Sequence, residues 1–433
     1  MTVEKTKPVV AFAGMTHLGL VSSTAVASAG FETICFDRDP DLIARLRRGE
    51  LPVLEPDLRE LSAKNGARQV FTSSVADLRR ADVLYIAPDI ATDDSGRSDT
   101  SILRELIDLA VPAMNPAAVL VILSQVEPGF TRKLTAPHPE RRYYQVETLV
   151  FGRAVERATK PERYIVGCAE PERPLDARFR AVLEAFKCPI LPMRYESAEL
   201  AKISINMCLV ASIGVANTMA ELCEAVGADW GEIAPALKLD RRIGSYSYLA
   251  PGLGIAGGNL ERDLATVIRL ASEHHTDSGI VQAWLTNSRH CRDWVLRTLR
   301  RTVLKGQRDP LIAVWGLAYK ENTHSVKNSP SLATLRQLPE VRFRVHDPVV
   351  PLEKASHERA VVAGSALAAL DGADALMILT PWPEYRSVAP EAIAAALAGK
   401  FVIDPYRVLD PKAAQAAGLT YFTLGVPPLC PET

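Results

Sequence analysis

The sequence predicts an α/β protein in which two doubly wound parallel sheets are joined by a central all-helical region. Three observations support this class. Short apolar runs alternate with segments of helical period in the first third of the chain, the middle is helical almost throughout, and the alternation returns after residue 305. Alternating strands and helices form parallel βαβ units, and continuous apolar strands indicate a sheet that helices cover on both faces.

The predicted elements follow in chain order. The first sheet takes its strands from Val9–Ala13, Glu32–Phe36, Val83–Ala87, Val119–Leu123, Tyr143–Glu147, Tyr164–Gly167 and Ile190–Pro192, with helices at Leu18–Ala29, Asp41–Arg48 and Ile102–Ala110. The helical region comprises Ser197–Val226, Trp230–Leu239 and Glu261–Thr302. The second sheet takes Leu311–Trp315, Val341–His346, Ala375–Thr380 and Phe401–Asp404. We therefore predict domains at 1–195, 196–304 and 305–433. The helix of about thirty residues at Ser197–Val226 is of a length that often joins or dimerises domains.

Composition excludes several classes of protein. The 433 residues carry 50 Lys+Arg against 51 Asp+Glu, so the basic excess of a nucleic-acid binder is missing. We expect no membrane-spanning helix, and the short polar start does not fit a signal peptide. The seven cysteines are scattered without metal-ligand spacing. They predict buried thiols in a reducing cytoplasm and no metal site.

A dinucleotide-binding turn is predicted after the first strand. The run Gly14-Met15-Thr16-His17-Leu18-Gly19 leads into a helix, and Asp37 ends the next strand 23 residues after Gly14. This resembles the fingerprint G-x-G-x-x-G with its distal acid, although an ordinary βα turn is the alternative. Thr16 replaces the middle glycine, where backbone approaches the pyrophosphate, so we expect weaker binding. Asp37 favours NAD over NADP, and the neighbouring Arg38 weakens that preference.

Six further segments occur in order along the rest of the chain. They are Leu46–Pro56, Pro161–Gly167, Ala198–Lys202 with Asn206, Asp240–Gly244, Leu249–Gly254, and Gly316–Thr323 with Ser329-Pro330. In order and spacing they resemble the motifs L-x-x-G-x-x-P-I-x-E-P, P-D-R-I-V-I-G, A-E-L-x-K-x-x-x-N, D-x-R-I-G, L-x-P-G-x-G and G-L-A-F-K-x-N-T…S-P. These are motifs of the UDP-glucose/GDP-mannose dehydrogenase family, which the chain resembles over nearly its whole length.

The resemblance implies a fold and an activity. Members oxidise the C6 hydroxyl of a nucleotide-linked hexose to a carboxylate with two NAD. An N-terminal Rossmann-like domain binds NAD, a C-terminal one binds the nucleotide sugar, and the central helices form a homodimer. The implied cofactor residues are Gly14, Thr16, His17, Leu18, Gly19, Asp37, Arg38, Pro88, Ser124, Gln125 and Lys327.

The resemblance also implies where the substrate reacts. Lys202, Asn206 and Asp263 would lie around the reacting carbon, together with Glu147 and with Asn259 in the nucleophile's position. Lys202 and Asn206 are four residues apart and so share one helix face; a solvated helix stripe is the alternative. The implied substrate-binding residues are Arg242, which would reach the substrate of the partner subunit, and Tyr248, Leu249, Gly252, Gly254, Tyr319, Lys320 and Arg407.

Departures from the family motifs cluster at the chemistry. Asn259 replaces the nucleophilic cysteine of G-G-S-C-F-P-K-D, and Arg262 replaces its lysine. Gln125 stands for the threonine of S-T-V, and Phe151 for the second glutamate of P-E-F-L-R-E-G. The motif D-G-R-N reads as the run 404–407 with its arginine lost or displaced to Arg407, and Lys327 stands where an arginine often contacts NAD phosphates.

These departures favour a shortened reaction. An aldehyde gives up a hydride only after a nucleophile such as a thiolate adds to it, and an amide nitrogen is too delocalised to add. We therefore expect one two-electron oxidation of a UDP-sugar or related nucleoside to a carbonyl. Three alternatives stay open: four-electron oxidation to a uronic acid without a thioester, redox-neutral epimerisation with bound NAD, and a non-catalytic nucleotide-binding protein.

Overall fold

The computed structural model describes residues 7–92, 98–255, 259–306 and 309–431. The chain divides into two compact units, Met1–Ile205 and Asn206–Thr433. The boundary falls inside one long helix, and each unit contains a parallel sheet. The α/β class with two parallel sheets and a helical region in the middle of the chain is confirmed.

The first unit is built on an eight-stranded sheet. Its strands are β1 Val10–Ala13, β2 Thr33–Phe36, β3 Gln69–Thr72, β4 Val83–Ile86, β7 Val119–Ile122, β8 Arg142–Gln145, β9 Tyr164–Cys168 and β10 Ile190–Arg194. Two further strands, β5 Ala91–Thr92 and β6 Ser98–Asp99, pair with each other in a separate antiparallel sheet. The order is β10-β9-β8-β7-β4-β1-β2-β3, and neighbours are parallel except for β8 and β9. Its helices are α1 His17–Ser28, α2 Pro40–Arg47, α3 Leu58–Lys64, α4 Ser101–Ala113, α5 Phe130–Lys133, α6 Ala154–Thr159 and α7 Ala177–Glu184.

Alternation along the central strands sends side chains into two separate cores. On β1, Val10 and Phe12 pack with Phe179 of α7, whereas Ala11 and Ala13 face the core that contains Leu103 of α4. Because successive strand residues point to opposite faces, a strand buried on both sides must be apolar throughout. That is why these strands appear in the sequence as unbroken apolar runs.

The second unit holds a six-stranded, all-parallel sheet. Its strands are β11 Leu311–Trp315, β12 Arg342–His346, β13 Ala360–Val362, β14 Ala375–Ile378, β15 Phe401–Ile403 and β16 Thr420–Phe422, in the order β13-β12-β11-β14-β15-β16. The helices that begin after residue 226 are α9 Trp230–Leu239, α10 Asn259–Glu273, α11 Gly279–Arg292, α12 Trp294–Arg301, α13 Pro330–Arg336, α14 Ala366–Leu370, α15 Pro390–Ala396 and α16 Pro411–Ala416. The helical run predicted at Glu261–Thr302 is therefore three helices, since the chain turns at His275, which has a φ of +54°, and again at Asp293.

The long helix α8 spans Tyr195–Val226, or 32 residues. Among the described residues it is the one helix long and apolar enough to cross a membrane by length and composition, whereas the sequence predicted none. Two of its asparagines bond within the second unit, Asn206 to Asp263 and Asn217 to the backbone of Gly252. A helix packed in the core of a protein can have the same length and composition.

The residue directly after β15 is a buried aspartate, Asp404. Asp404 has no exposed surface and accepts hydrogen bonds from the Tyr421 hydroxyl at 2.7 Å and from the N–H groups of Leu409 and Tyr406 at 2.9 and 3.2 Å. Burial raises the pKa of Asp404 from 3.8 to about 6, because loss of water penalises the charged form more than these donors repay.

This raised pKa predicts a pH-dependent stability. The folded state holds the Asp404 proton more tightly than the unfolded state, so the stabilisation is complete below pH 4 and is lost as the pH rises through 6. The shift corresponds to about 3 kcal/mol. We expect the melting temperature of Asp404→Asn relative to the wild type to rise between pH 4 and pH 7, measured by calorimetry. Asp371→Asn, whose side chain is exposed, is the matched control and should show no such trend. A constant difference for Asp404→Asn would contradict the assignment.

Candidate active site

The turn after β1 is shaped by two glycines in close contact with backbone. Gly14 has a φ of +99°, and a Cβ there would lie 2.8 Å from the nitrogen of Pro88. A Cβ on Gly19 would lie 1.9 Å from the carbonyl oxygen of Gly14. The turn therefore folds tightly against the end of β4 and the start of α1, which is the shape that brings backbone N–H groups to a phosphate.

Thr16 has a structural role that the sequence did not reveal. It directly precedes α1 without capping the helix through its side chain, and its hydroxyl accepts a hydrogen bond of 2.8 Å from the N–H of Asp89 in the loop after β4. The Asp89 carboxylate in turn accepts from the N–H of Leu18 at 3.4 Å. These two bonds tie the turn to the neighbouring loop.

His17 packs into the protein beside the same turn. Its Nε2 lies 3.0 Å from the buried Glu55 carboxylate, and its ring stacks on Phe151 with centroids 4.2 Å apart. Glu55 also accepts from the N–H groups of Gly152 and Ala154, at 3.1 and 2.7 Å. Glu55 belongs to the motif Leu46–Pro56, which was the signal for this contact, although the sequence gave it no role.

Asp37 lies at the end of β2, where a ribose is held in dinucleotide-binding sheets. Its carboxylate accepts from the N–H groups of Met15 at 2.7 Å and Asp39 at 3.0 Å. Two oxygens offer about four acceptor positions, so Asp37 can also accept from ribose hydroxyls. The neighbouring Arg38 forms an exposed ion pair with Glu105. The first sheet therefore fits NAD.

The second sheet also has a glycine after its first strand in the chain and an aspartate after its second, but this aspartate is saturated with internal hydrogen bonds. Gly316 follows β11 with a φ of +97°, and Asp347 follows β12. The Asp347 carboxylate accepts from five donors, the N–H groups of Leu317, Ala318, Val349 and Val350 and the indole of Trp382. Its acceptor positions are used within the protein, so the two sheets do not offer equivalent ribose sites.

The loop after β7 is hydrogen-bonded to the loop after β4, which also contacts the glycine turn. The buried Ser124 hydroxyl donates to the carbonyl of Pro88 at 2.5 Å, and Gln125 follows it, partly buried. The same loop is held by Glu199 of α8, which accepts from the N–H groups of Gly129 at 2.5 Å and Thr131 at 2.9 Å. Burial raises the pKa of Glu199. The sequence analysis assigned Glu199 no role.

Lys202 forms an ion pair in the first unit. Its Nζ lies 2.6 Å from a carboxylate oxygen of Glu147 and 3.0 Å from the Glu147 carbonyl, and its side chain is about one-tenth exposed. The solvated-stripe alternative is therefore wrong for Lys202. Its ammonium group has three donors, and Glu147 engages two of them.

Asn206 belongs to a buried polar cluster in the second unit. Its Nδ2 donates to the Asp263 carboxylate at 2.5 Å, and Arg262 Nε lies 3.2 Å from the other oxygen. Asp263 has no exposed surface, and Arg262 and Asn206 are also buried. Asn259, by contrast, is exposed as the first residue of α10. The residues Ala256–Gly258 before it lie outside the described part of the chain.

The glycine-rich loop after α9 is fixed at three points. The Trp230 indole donates to the Leu249 carbonyl at 2.7 Å, Asn217 accepts from Gly252 N–H at 2.8 Å, and the Ser288 hydroxyl accepts from Ile255 N–H at 2.8 Å. A Cβ on Gly254 would lie 2.3 Å from the Ser288 carbonyl. The described part of the loop is thus held by three hydrogen bonds.

The remaining predicted residues of the second unit lie in different surroundings. Arg242 is 89% exposed and pairs with Asp240 at 2.6 Å, whereas Tyr248 is half exposed. Tyr319 and Lys320 lie in the turn after β11, with Nζ 5.7 Å from the phenol ring. Lys327 lies near Glu261, and Arg407 pairs with Asp229 at the start of α9 at 2.7 Å. Among the described residues, no group of His, Cys, Asp and Glu side chains is arranged to hold a metal ion.

Comparison with known protein families covers both units. Residues 9–187 match the NAD binding domain, 196–289 the central domain and 313–411 the UDP binding domain of the UDP-glucose/GDP-mannose dehydrogenase family. The chain belongs to this family. It is an NAD-dependent dehydrogenase that acts on CH–OH groups, and NAD is its cofactor.

Relatives with full-length coverage support the family. The chain is 29% identical to a UDP-glucose 6-dehydrogenase of Pseudomonas aeruginosa, covering 96% of both chains, and 28% identical to one of Bacillus subtilis, covering 96% and 93%. The solved structure of a UDP-glucose dehydrogenase from Pyrobaculum islandicum superimposes with a TM-score of 0.84 at 26% identity, covering 97% and 98% of the two chains.

The tight turn of this dehydrogenase predicts a steric requirement for glycine. In Gly19→Ala the added Cβ meets the Gly14 carbonyl, so the start of α1 must shift and NAD affinity should fall at least tenfold. Fluorescence titration with NAD measures this change. Gly66→Ala, where a Cβ meets nothing within 4 Å, is the matched control and should bind as the wild type does. Wild-type affinity in Gly19→Ala would contradict the role of the turn.

Proposed function

We propose that this enzyme oxidises one alcohol of a UDP-sugar to a carbonyl and stops there. UDP-glucose is the first candidate substrate, because relatives along the full length are named UDP-glucose 6-dehydrogenases. The observation that carries the proposal is Asn259, which stands in the position of the family's nucleophilic cysteine. Without a thiolate at this position the carbonyl product lacks the thiohemiacetal from which the second hydride would leave.

No described thiol is a ready substitute for the missing nucleophile. Burial raises the pKa of Cys35 and Cys291 to about 11, and it also raises the pKa of Cys168, Cys188 and Cys223. Cys208 is exposed on α8 but lies two residues after Asn206, about 200° around the helix. Cys430 is exposed near the end of the chain. These positions support a reaction without a thioester.

Three retained side chains suit the first oxidation. Asp263 is a buried carboxylate that can take the hydroxyl proton, while Asn206 and Arg262 compensate its charge in the ground state. Lys202 keeps one N–H beyond the two held by Glu147 and can donate it to the alcohol oxygen as negative charge develops. NAD supplies the hydride acceptor. The products are a carbonyl, NADH and one proton.

The proposed compartment is the cytoplasm. All seven cysteines are free, which is typical of proteins in a reducing environment, and the proposed substrate and cofactor are small soluble molecules.

We also propose a homodimer formed through α8. Its exposed face carries Cys208, Ser212, Val215, Met219, Leu222 and Val226, whose spacing of four and three residues is the seam of a coiled coil. Val215, Leu222 and Val226 are 55%, 50% and 65% exposed, a large apolar area for a helix facing water. A second copy of this chain presents the same seam, so a symmetric pair covers both.

The proposed reaction predicts one NADH per molecule of sugar. Purified enzyme is incubated with NAD and a limiting amount of UDP-glucose, and NADH absorbance and product mass are followed to completion. We expect one NADH and a product two mass units lighter than the substrate. Two NADH with a carboxylate would show that Asn259 is no block. An isomerised sugar without NADH would show a redox-neutral reaction.

Placing a cysteine at position 259 is a second test of the same proposal. In Asn259→Cys the thiol lies at the start of α10, where the helix dipole favours the thiolate. If the oxidised alcohol is primary, the thiolate adds to the aldehyde, a second hydride leaves for another NAD, and a thioester remains. Gln125 and Phe151 make slow hydrolysis the expected result, so intact-protein mass should reveal an acyl adduct. Asn259→Ser is the matched control without an adduct.

The dimer proposal predicts that one charge in the seam separates the subunits. Leu222→Glu places a carboxylate in the apolar face of α8, and light scattering at micromolar concentration should then give a monomer where the wild type gives a dimer. Leu367→Glu changes a leucine of α14 that is 45% exposed, against 50% for Leu222; it is the matched control and should stay dimeric. A monomeric wild type, or a dimeric Leu222→Glu, would overturn the proposal.

A further inference from the structure

Glu55 connects the turn after β1 with the loop that carries Glu147. It lies between α2 and α3, and its side chain has no exposed surface. One of its carboxylate oxygens lies 3.0 Å from Nε2 of His17, the first residue of α1, and accepts the N–H of Gly152 at 3.1 Å. The other oxygen accepts the N–H of Ala154 at 2.7 Å. A single buried carboxylate thereby holds the turn and the loop together.

This loop between β8 and α6 (residues 146–153) also contacts the turn directly. The ring of Phe151 stacks on the ring of His17, with an angle of 24° between the two planes. Phe151 stands where the family motif P-E-F-L-R-E-G has its second glutamate. The stack places a side chain, whereas the hydrogen bonds to Glu55 place the backbone that follows it.

The start of the same loop holds the Lys202 ammonium. Its Nζ lies 2.6 Å from one carboxylate oxygen of Glu147 and 3.0 Å from the Glu147 carbonyl. The other carboxylate oxygen accepts the N–H of Leu149 at 2.9 Å. Because one partner of the ammonium is a backbone carbonyl, a shift of the loop moves the partner of Lys202 even where side chains can adapt.

An amide at position 55 cannot do what the carboxylate does. A carboxylate accepts on both oxygens, whereas an amide accepts on one side and donates on the other. In either orientation of Glu55→Gln, the N–H of Gly152 or that of Ala154 faces a second donor. His17 can adapt, because a neutral imidazole nitrogen either donates or accepts. The substitution therefore weakens the hold on the loop and leaves the contact with the turn paired.

We propose that Glu55 is a positioning residue for the oxidation. It fixes the place of Glu147, and through Glu147 that of the Lys202 ammonium, relative to the turn that binds NAD. A misplacement of about 1 Å at a reacting centre costs about a hundredfold in rate, so a buried carboxylate away from the chemistry can control turnover. This inference rests on the proposed function, in which Lys202 donates to the alcohol oxygen.

The first test separates turnover from cofactor binding. In Glu55→Gln, kcat for NADH formation from UDP-glucose at saturating NAD should fall at least tenfold, while the Kd for NAD should change less than threefold. Asp82→Asn is the matched control. Asp82 also accepts a backbone N–H, that of Val9 at 2.9 Å, but at the amino end of the same sheet. Its kcat should stay within twofold of the wild type.

The second test compares two substitutions on the turn side. His17→Gln keeps an N–H donor for Glu55, whereas His17→Leu removes it and leaves an apolar side chain. At saturating NAD, His17→Gln should turn over at least fivefold faster than His17→Leu. A role in packing alone predicts the opposite order. This pair also carries the test if Glu55→Gln does not fold.

Hydrogen exchange reports the loop without turnover. Deuterium uptake by the peptide that covers residues 148–154 should be faster in Glu55→Gln than in the wild type and unchanged in Asp82→Asn. The inference is overturned if this uptake is unchanged in Glu55→Gln, if its kcat stays within twofold of the wild type, if the Kd for NAD rises as much as kcat falls, or if His17→Leu is as fast as His17→Gln.

The outcomes distinguish this inference from the proposed function. Two NADH per sugar, with the dependence on Glu55 intact, would refute the proposed function alone. One NADH per sugar at a rate that does not depend on Glu55 would refute the positioning role alone. A wild type that forms no NADH would refute both.

Discussion

Buried polar side chains on α8 need partners, and this requirement organises the loops packed on the helix. An uncompensated charge or amide in an apolar interior costs several kcal/mol, which favours structures in which such groups have a donor or acceptor. Asn217 meets this only through its Oδ1, because its buried Nδ2 has no partner among the described residues. The four groups and their partners are Glu199 with the N–H groups of Gly129 and Thr131, Lys202 with Glu147, Asn206 with Asp263, and Asn217 with the N–H of Gly252. One helix thereby fixes the loop after β7 and the segment after β8 in the first unit, and α10 and the glycine-rich loop in the second.

The two sheets share one turn geometry but differ in their capacity to bind a ribose. In each sheet a glycine with nearly the same positive φ follows the first strand in the chain. An aspartate directly after the next strand of the chain accepts a hydrogen bond from the N–H that follows this glycine. At Asp37 two described N–H groups donate, and at Asp347 five groups donate. Since a carboxylate offers about four strong acceptor positions, only the first retains capacity for a ribose. The number of internal donors, rather than the turn itself, distinguishes the two edges.

The sequence predicted what depends on local pattern and missed what depends on distant partners. Strands buried on both faces are apolar throughout, so β1, β4 and β7 could be predicted, whereas β3, with Val70 exposed, was missed. The glycine turn and Asp37 follow a fixed spacing and were found. The Thr16–Asp89 bond and the Arg407–Asp229 pair join residues 73 and 178 positions apart, and no local signal marks such partners. The expectation that Thr16 weakens cofactor binding did not foresee that its hydroxyl holds the turn.

At the proposed reacting centre, burial shows which side chains the fold itself requires and which it does not. Asp263 is fully buried, so its partners Asn206 and Arg262 are needed for folding whether or not the enzyme turns over, and their presence alone does not establish catalysis. Asn259 is different, because it is exposed at the first position of α10 and no packing demand selects its side chain. An exposed side chain at this position can be exchanged for a cysteine without a change in the buried packing. That independence is what makes a single substitution at this position a direct test of how far the oxidation proceeds.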